Sequence, residues 1–364
     1  MTNPKLISSF RLSSLLRLQK DPTPALQLFQ NPNPNTNQTP PVKPFRYSHL
    51  NYDLIITKLG RAKMFDEMRQ ILHQLKQDTR ISPEEIIFCN VIGFYGRARL
   101  CEHALLVFDE MPSFRVQRTV KSFNSLLNAI LKCRRFDKMR EVFARMEEDG
   151  SADSCSYNIL IHGCLVNGKW KEAWSVFGAM LRRGLKADEV TFGTLIYALC
   201  LELRLKQASK LKDDMVRVYE VRPNENVYAS LIKGYCDVGE LSLAFRLKEE
   251  MVRNEMEVDT AVYSTFISAL FKAGRKADAF GFKAAASILD EMIFKGHVPR
   301  SASVHKFING LCQVGDMECL WTVLSTLTRG NVIDYETWRM IVSTVCKENE
   351  LSNASELNKI LIIP

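Results

Sequence analysis

Ten cysteines and six histidines are the residues of this 364-residue chain that could ligate a metal or act as nucleophiles. Their spacing argues against both roles. No two cysteines stand as Cys-x-x-Cys, the arrangement that closes a structural zinc site. His73, His103 and His162 are scattered. No Gly-rich phosphate loop is present, and no paired carboxylates stand out from a helical surface pattern. Cys200, Cys236, Cys312 and Cys346 instead recur at one place in a longer period. That pattern predicts small buried thiols in a reducing compartment. The expectation is a chain with no intrinsic catalysis, no metal and no cofactor.

The period itself carries more information than any single residue. Phe123-Asn124-Ser125-Leu126-Leu127 returns as Tyr157-Asn158-Ile159-Leu160-Ile161, and again as Phe192-Gly193-Thr194-Leu195-Ile196. Tyr228-Ala229-Ser230-Leu231-Ile232 and Tyr263-Ser264-Thr265-Phe266-Ile267 continue the series. The leading aromatics lie 34, 35, 36 and 35 residues apart. A fixed period of this size marks a solenoid of stacked supersecondary units.

Each unit reads as two helices. Tyr157, Leu160, Ile161 and Cys164 mark the apolar face of a first helix by their spacing. Gly168 suits the left-handed residue that ends it. Trp170, Ala173, Val176, Phe177 and Met180 form the face of a second helix, closed by Gly184. The plan recurs with Ala104, Val107, Phe108 and Met111, and with Ala244, Leu247 and Met251. The recurring alanine predicts a close helix approach. Such a pair cannot bury its face alone, so neighbours must supply the core.

Nine units are expected: 48–83, 84–118, 119–152, 153–187, 188–223, 224–258, 259–299, 300–333 and an incomplete 334–364. The seventh has 41 residues, with about six extra around Phe280-Gly281-Phe282-Lys283-Ala284. Either its second helix is lengthened by nearly two turns or two half-repeats are joined there. The separate register on each side favours the join and a break in the stack at 280–285.

Net charge is +8, and hydrophobic residues make up 46% of the chain. No apolar run approaches the roughly 18 residues that would suggest a membrane span. Lys5, Arg11, Arg17 and Lys20 fall within residues 1–20, which hold no acid and several serines and leucines. This is the composition of an organellar transit peptide. Residues 1–30 are therefore expected to be an address outside the fold. Residues 31–47, rich in Pro and Asn, read as a linker, and residues 48–364 as the array.

The opening aromatic-Asn/Ser-x-Leu-Ile, the Phe271-Lys272-Ala273-Gly274 turn, the Ala-x-x-x-Phe-x-x-Met face and the Gly184-Leu185-Lys186-Ala187-Asp188 exit resemble the pentatricopeptide repeat. The near-uniform length is similar to its P-type subclass, typical of plant mitochondria and chloroplasts. The resemblance implies an all-α, right-handed α-solenoid of about nine helix-turn-helix repeats of ~35 residues. It also implies single-stranded RNA as partner, one base read per repeat by two or three side chains. Neither DNA nor a membrane is expected as a partner. The compartment implied is the mitochondrion, with the chloroplast as alternative.

In this family one reader follows the leading aromatic, and the other opens the next repeat. Here Asn124 pairs with Asp153, and Asn158 with Asp188; such amide–carboxylate pairs resemble readers of uracil, or more broadly of pyrimidines. An amide offers both a donor and an acceptor, while a carboxylate only accepts. Asp53–Glu84, Cys89–Thr119, Gly193–Asn224, Ala229–Asp259, Ser264–Arg300 and His305–Asp334 are unusual pairs. The resemblance further implies that Leu50, Ile86 and Val190 pack against bases. It assigns Arg61, Arg97, Lys132, Lys272 and Lys347, each near the end of a first helix, to phosphates. Lys121, Asn226 and Glu336 depart from the base-packing pattern, and Val166, Leu201, Asp237 and Gln313 from the basic one.

Some members of the family carry a zinc deaminase-like tail with His-x-Glu and Cys-x-x-Cys; neither motif occurs in this sequence. Two readings remain. One is an RNA-binding array that acts by occupancy in stability, processing, splicing or translation. The other is a protein-interaction solenoid, such as a ribosome-associated factor, whose reading positions have decayed.

Overall fold

The computed structural model describes residues 7–33, 45–274, 279–299, 301–314, 317–330 and Arg339. The chain divides into two compact units, residues 1–186 and 187–364. The first holds α1 (Ser9–Leu18), α2 (Pro22–Gln30), α3 (His49–Ala62), α4 (Phe65–Gln77), α5 (Glu85–Arg97), α6 (Cys101–Glu110), α7 (Val120–Lys132), α8 (Phe136–Glu148), α9 (Ser154–Val166) and α10 (Trp170–Arg182). The second holds α11 (Glu189–Leu201), α12 (Leu205–Arg217), α13 (Glu225–Val238), α14 (Leu241–Arg253), α15 (Thr260–Gly274), α16 (Ala279–Phe294), α17 (Ser301–Val314) and α18 (Met317–Arg329). A single 3-10 turn, Met111–Phe114, follows α6. No strand occurs among the described residues, and the fold is all-α.

The first helix of each pair packs on the first helix of the next. In the first unit this row runs α1, α3, α5, α7 and α9; in the second it runs α11, α13, α15 and α17. The leading aromatics form the seam. Tyr52, Phe88, Tyr157, Phe192, Tyr228 and Tyr263 are each at most 1% exposed. Ala104, Ala173, Ala208, Ala244 and Ala285 are 0% exposed, as the recurring alanine predicts. Gly96 shows how close the row packs: a Cβ added there would lie 2.6 Å from the Ala129 backbone of α7.

Six pairs, α3/α4 through α13/α14, each turn through one left-handed residue. Gly168 takes this role as expected, with φ of 68°, and Gly239 does so with 84°. Lys63, Arg99, Arg134 and Leu203 adopt the same conformation without being glycine. A Cβ there costs roughly 1–2 kcal/mol, which the packed helices on both sides must outweigh.

Partly buried polar ties join successive repeats of the second unit. Lys212 Nζ donates to Glu250 Oε1 at 2.6 Å, and Tyr228 Oη donates to the same oxygen at 2.8 Å. This links α12, α13 and α14. One repeat later Glu291 accepts from Tyr263 Oη at 3.0 Å and from Lys248. Burial pushes the Glu250 carboxyl up, but the Lys212 and Tyr228 hydrogen bonds outweigh it and hold the group below the ordinary glutamate value.

Two expectations require correction. Residues 9–30 are not outside the fold, because α1 and α2 form a helix pair packed on α3. Leu12, Leu16, Ala25 and Phe29 are 0% exposed. Asn51 of α3, also fully buried, donates from Nδ2 to Ser9 O at 2.9 Å and to Ser13 Oγ at 2.7 Å. Asp21 caps α2 and Pro22 opens it. Ala25 and Phe29 repeat the spacing of Ala104/Phe108 and Ala173/Phe177, so this is one more repeat pair. Basic, acid-free composition hid that spacing. The intended linker is also partly structured: Tyr47 Oη donates to Phe29 O at 2.7 Å, and the two rings stack 4.4 Å apart. Residues 34–44 lie outside the described residues.

The second correction concerns the long seventh repeat. α16 runs unbroken from Ala279 to Phe294, 16 residues against 13 in α8, α10, α12 and α14. Its added turn is packed, since Phe282 is 1% exposed and its ring meets Phe271 at 5.9 Å. Stacking continues through it, α15 on α17 and α16 on α18. The joined-half-repeat reading and the break at 280–285 give way to a lengthened second helix. The loop residues 275–278 and the ninth repeat, 334–364 apart from Arg339, lie outside the described residues.

The packing of α2 makes a direct test available. Phe29→Ala is expected to lower the unfolding free energy by about 3 kcal/mol, the usual cost of emptying a buried phenylalanine site. Chemical denaturation measures it, and a variant as stable as the parent would return residues 9–30 to the status of a loose leader.

Candidate nucleic-acid interface

A first helix must begin somewhere, and its opening N–H groups need acceptors. Asp153, Asp188 and Asp259 supply them: each Oδ1 accepts the N–H three residues on, from Ser156, Thr191 and Val262, at 2.8 Å. Asn224 does the same for Val227 at 3.2 Å. At these four repeats the opening residue is therefore fixed by helix-capping chemistry, whereas Glu84 makes no such cap on α5. In the first unit this places Asp153 beside the residue that follows the preceding leading aromatic.

The Asn124–Asp153 pair shows the result. Asn124 Nδ2 donates to Asp153 Oδ1 at 3.2 Å. The buried Ser156 hydroxyl donates to Asn124 Oδ1 at 2.7 Å. Partial burial pushes the Asp153 carboxyl up, but hydrogen bonds from the Ser156 backbone, the Ser156 hydroxyl and Asn124 pull it below the ordinary aspartate value. The carboxylate is thus held ionised as an acceptor. Asn124 keeps one N–H and one carbonyl lone pair for an outside group. Ser156 was not singled out in the sequence; its place just before Tyr157 was the available signal.

The other expected readers divide. Asn158, 8% exposed, lies in the first unit and Asp188 in the second, where it caps α11. Asp53, Cys89, Gly193, Ala229, Ser264 and His305 are half-buried at the same register as Asn124. Ala229 offers only a methyl beside the array surface, although Asp259 is capped and exposed as Asp153 is. Thr119 is engaged: its hydroxyl and N–H both donate to Glu85, which also accepts from Ser122 N. A carboxylate from the preceding helix has taken the place that an outside ligand would need. Asp334, like Arg300, lies outside the described residues.

Ile86 and Val190 are 53% and 56% exposed, unusual for such side chains, while Leu50 is half-buried. Exposure of this kind suits an apolar surface that a planar ring could cover. Arg61, Arg97, Lys132 and Lys272 are exposed in the last turns of α3, α5, α7 and α15. None forms an ion pair among the described residues. The Arg97 guanidinium lies over the Phe94 ring at 4.8 Å. Lys347 lies outside the described residues. The turn residues Lys63, Arg99 and Arg134, missed in the sequence, are exposed two positions beyond the first three cations. The first unit therefore carries doubled positive charge at three successive helix ends. In the second unit Leu201 and Leu203 hold the matching places and are 61% and 60% exposed.

The thiols behave as the sequence predicts where they are described. Burial pushes Cys200 and Cys236 up to about 12, too high for a reactive thiolate. The side chains of Cys312 and Cys346 lie outside the described residues. No cluster of His, Cys, Asp and Glu that could hold a metal occurs among the described residues. No described helix is long and apolar enough to cross a membrane.

Comparison with known proteins bears on the same repeats. The PPR repeat family model matches residues 152–201 and 223–272, and the PPR repeat model matches 86–116, 121–151 and 190–218. A pentatricopeptide repeat-containing protein of Arabidopsis thaliana is 49% identical over 261 residues, 72% of this chain and 55% of that protein. The small ribosomal subunit protein mL103 (rPPR7) of Arabidopsis thaliana is 26% identical over 297 residues, 72% of this chain and 70% of that protein. Among solved structures, the pentatricopeptide repeat protein PPR10 of maize in complex with an 18-nt psaJ RNA element superposes with a TM-score of 0.61. That likeness is at 20% identity, covers 89% of this chain and 45% of the other, and bears on the fold. The chain spans about half the length of the first of these relatives and of the maize structure. Recurring aromatics, capped first helices, paired-helix stacking and the matched repeat models together make this chain a member of the pentatricopeptide repeat family.

Proposed function

We propose that this chain binds single-stranded RNA in an organelle and acts by occupancy, without catalysis of its own. The observation that carries the reading is the Asn124 amide, held by Asp153 and Ser156 with one donor and one acceptor left over. Such a group can pair with a pyrimidine edge. Exposed Ile86 and Val190 offer apolar contact to bases, and the exposed cations offer a backbone track. Asn158 and Asp188 are each proposed as base readers from their positions in their own repeats. The RNA complex of the maize relative supports the same class of partner.

The cations set where the backbone runs. Arg61, Lys63, Arg97, Arg99, Lys132 and Arg134 all belong to the first unit, so phosphate contact is proposed to concentrate there. The second unit offers Lys272 but also the exposed Leu201 and Leu203. Those leucines, with the ribosomal relative mL103, favour a second reading in which this part of the array meets a protein. The P-type subclass is proposed from repeat length.

The mitochondrion is the proposed compartment, with the chloroplast as alternative, because relatives of this chain in Arabidopsis thaliana include a mitochondrial and a chloroplastic pentatricopeptide repeat-containing protein. A fluorescent fusion of the full chain that stayed in the cytosol would overturn this.

Two binding measurements test the RNA reading. Asn124→Ala is expected to weaken a matched RNA by about 1–3 kcal/mol, the scale of a lost base contact, and to leave unmatched RNAs unchanged. Equal weakening of every sequence would reveal a structural defect instead. Replacing Arg97 or Lys132 with Gln is expected to weaken all single strands alike and to lower the salt slope by roughly 0.7 per lost phosphate contact. A slope that stays constant across such variants removes these cations from the track.

A further inference from the structure

The Ser156 hydroxyl completes a capping box with Asp153 and makes one contact beyond it. It is 0% exposed, so no water competes for it. It accepts from the Asp153 N–H at 3.3 Å and lies 2.8 Å from Asp153 Oδ1. Its shortest contact, 2.7 Å, is to the side-chain oxygen of Asn124 in the preceding repeat. The N-cap bond itself does not require such a hydroxyl. Val227 and Val262 stand at the same position in α13 and α15, and their caps still form, at 3.2 and 2.8 Å.

The sequence shows what the hydroxyl accompanies. Where the preceding reader is Asn124 or Asn158, the residue before the next leading aromatic is Ser156 or Thr191. Cys89 is followed by Ser122, and Ser264 by Ser303. Where the reader is Gly193 or Ala229, with no polar side-chain atom, the position is Val227 or Val262. Asp53, followed by Ile87, is the departure, and a carboxylate has two equivalent ends that need no orienting. Beside Cys89 the Ser122 hydroxyl turns to the Thr119 carbonyl, 3.0 Å away.

We propose that Ser156 is a specificity-determining positioning residue, which fixes the orientation of the Asn124 amide and so decides between uracil and cytosine. The proposal rests on the base-reading role of Asn124 given above. An ionised carboxylate can only accept, so Asp153 draws the NH2 end of the amide toward itself. The Ser156 hydroxyl accepts from Asp153 N–H, and its one proton lies between Asp153 Oδ1 at 2.8 Å and Asn124 Oδ1 at 2.7 Å; turned to Asn124, it draws the carbonyl end. The two restraints fix the order in which the remaining N–H and lone pair meet a base. Uracil offers an acceptor, O4, beside a donor, N3–H; cytosine offers a donor, N4–H, beside an acceptor, N3. The two edges have opposite order, so an amide free to turn over serves both and an amide held one way serves one. Without the hydroxyl, Asp153 alone restrains a single end.

The test uses the full chain, a randomised 16-nucleotide single-stranded RNA pool and sequencing of the bound fraction. The parent is expected to select uracil over cytosine at the position that Asn124→Ala flattens. Ser156→Ala should keep that position pyrimidine-selective while cutting its uracil-to-cytosine ratio about fivefold, the scale of one hydrogen bond. Ser156→Thr should retain the parent ratio, and preferences at other positions should not move. Thermal unfolding of each variant separates loss of fold from loss of choice. An unchanged ratio in Ser156→Ala, with Asn124→Ala still flattening the position, overturns the positioning role and leaves base reading intact. Equal loss at every position would also overturn it, as a capping effect. A parent pool with no base preference removes the base reading and this inference together.

Discussion

A first helix starts with N–H groups that need an acceptor, and at α7, α9, α11, α13 and α15 the side chain that meets this need stands at the boundary between two repeats. That requirement ties local structure to the surface. Asp153 opens α9 by accepting Ser156 N–H and, from the same oxygen, accepts the Asn124 amide of α7. A residue chosen for capping is thereby placed within reach of the preceding repeat's reading position. The same constraint explains the engaged pair at Cys89 and Thr119. There the cap is Thr119, and Glu85 reaches over to it from α5, so its donors are satisfied inside the protein.

Stacking supplies what capping cannot. A helix pair exposes the face that carries its leading aromatic until a neighbour covers it. Full burial of Tyr52 against α1 and α2 shows that the row begins before residue 48. The second unit adds polar ties through Glu250 and Glu291, each accepting from a tyrosine of one helix and a lysine of an earlier repeat. These groups need geometry as well as burial, because an unpaired charge at such a site would be costly. They resist sliding of one repeat against the next in a way apolar contacts alone do not.

Charge divides the surface along the chain. Doubled cations at the ends of α3, α5 and α7 arise because a left-handed turn residue, often glycine, is here Lys63, Arg99 or Arg134. The backbone strain of these residues has a local return: their side chains stand in solvent beside Arg61, Arg97 and Lys132. At the end of α11 the same geometry holds Leu203 beside Leu201, with strain and no charge.

Sequence alone determined the helix pairs, their period, the buried aromatics and alanines and the inert thiols, because each follows from apolar spacing repeated every ~35 residues. The resemblance placed Asn124, Asp153 and the cations of the first unit in one register. Composition misled where it overrode spacing: Ala25 and Phe29 carried the second-helix signature within a stretch whose basic, acid-free start resembled an address. Counting surplus residues misled at 280–285, because a helix can absorb extra residues if the added turn finds partners, as Phe282 does against Phe271. Only the tertiary structure decided which way the Asn124 amide faces. That depends on a carboxylate and a hydroxyl 29 and 32 residues away, whose directions are set by where α9 begins.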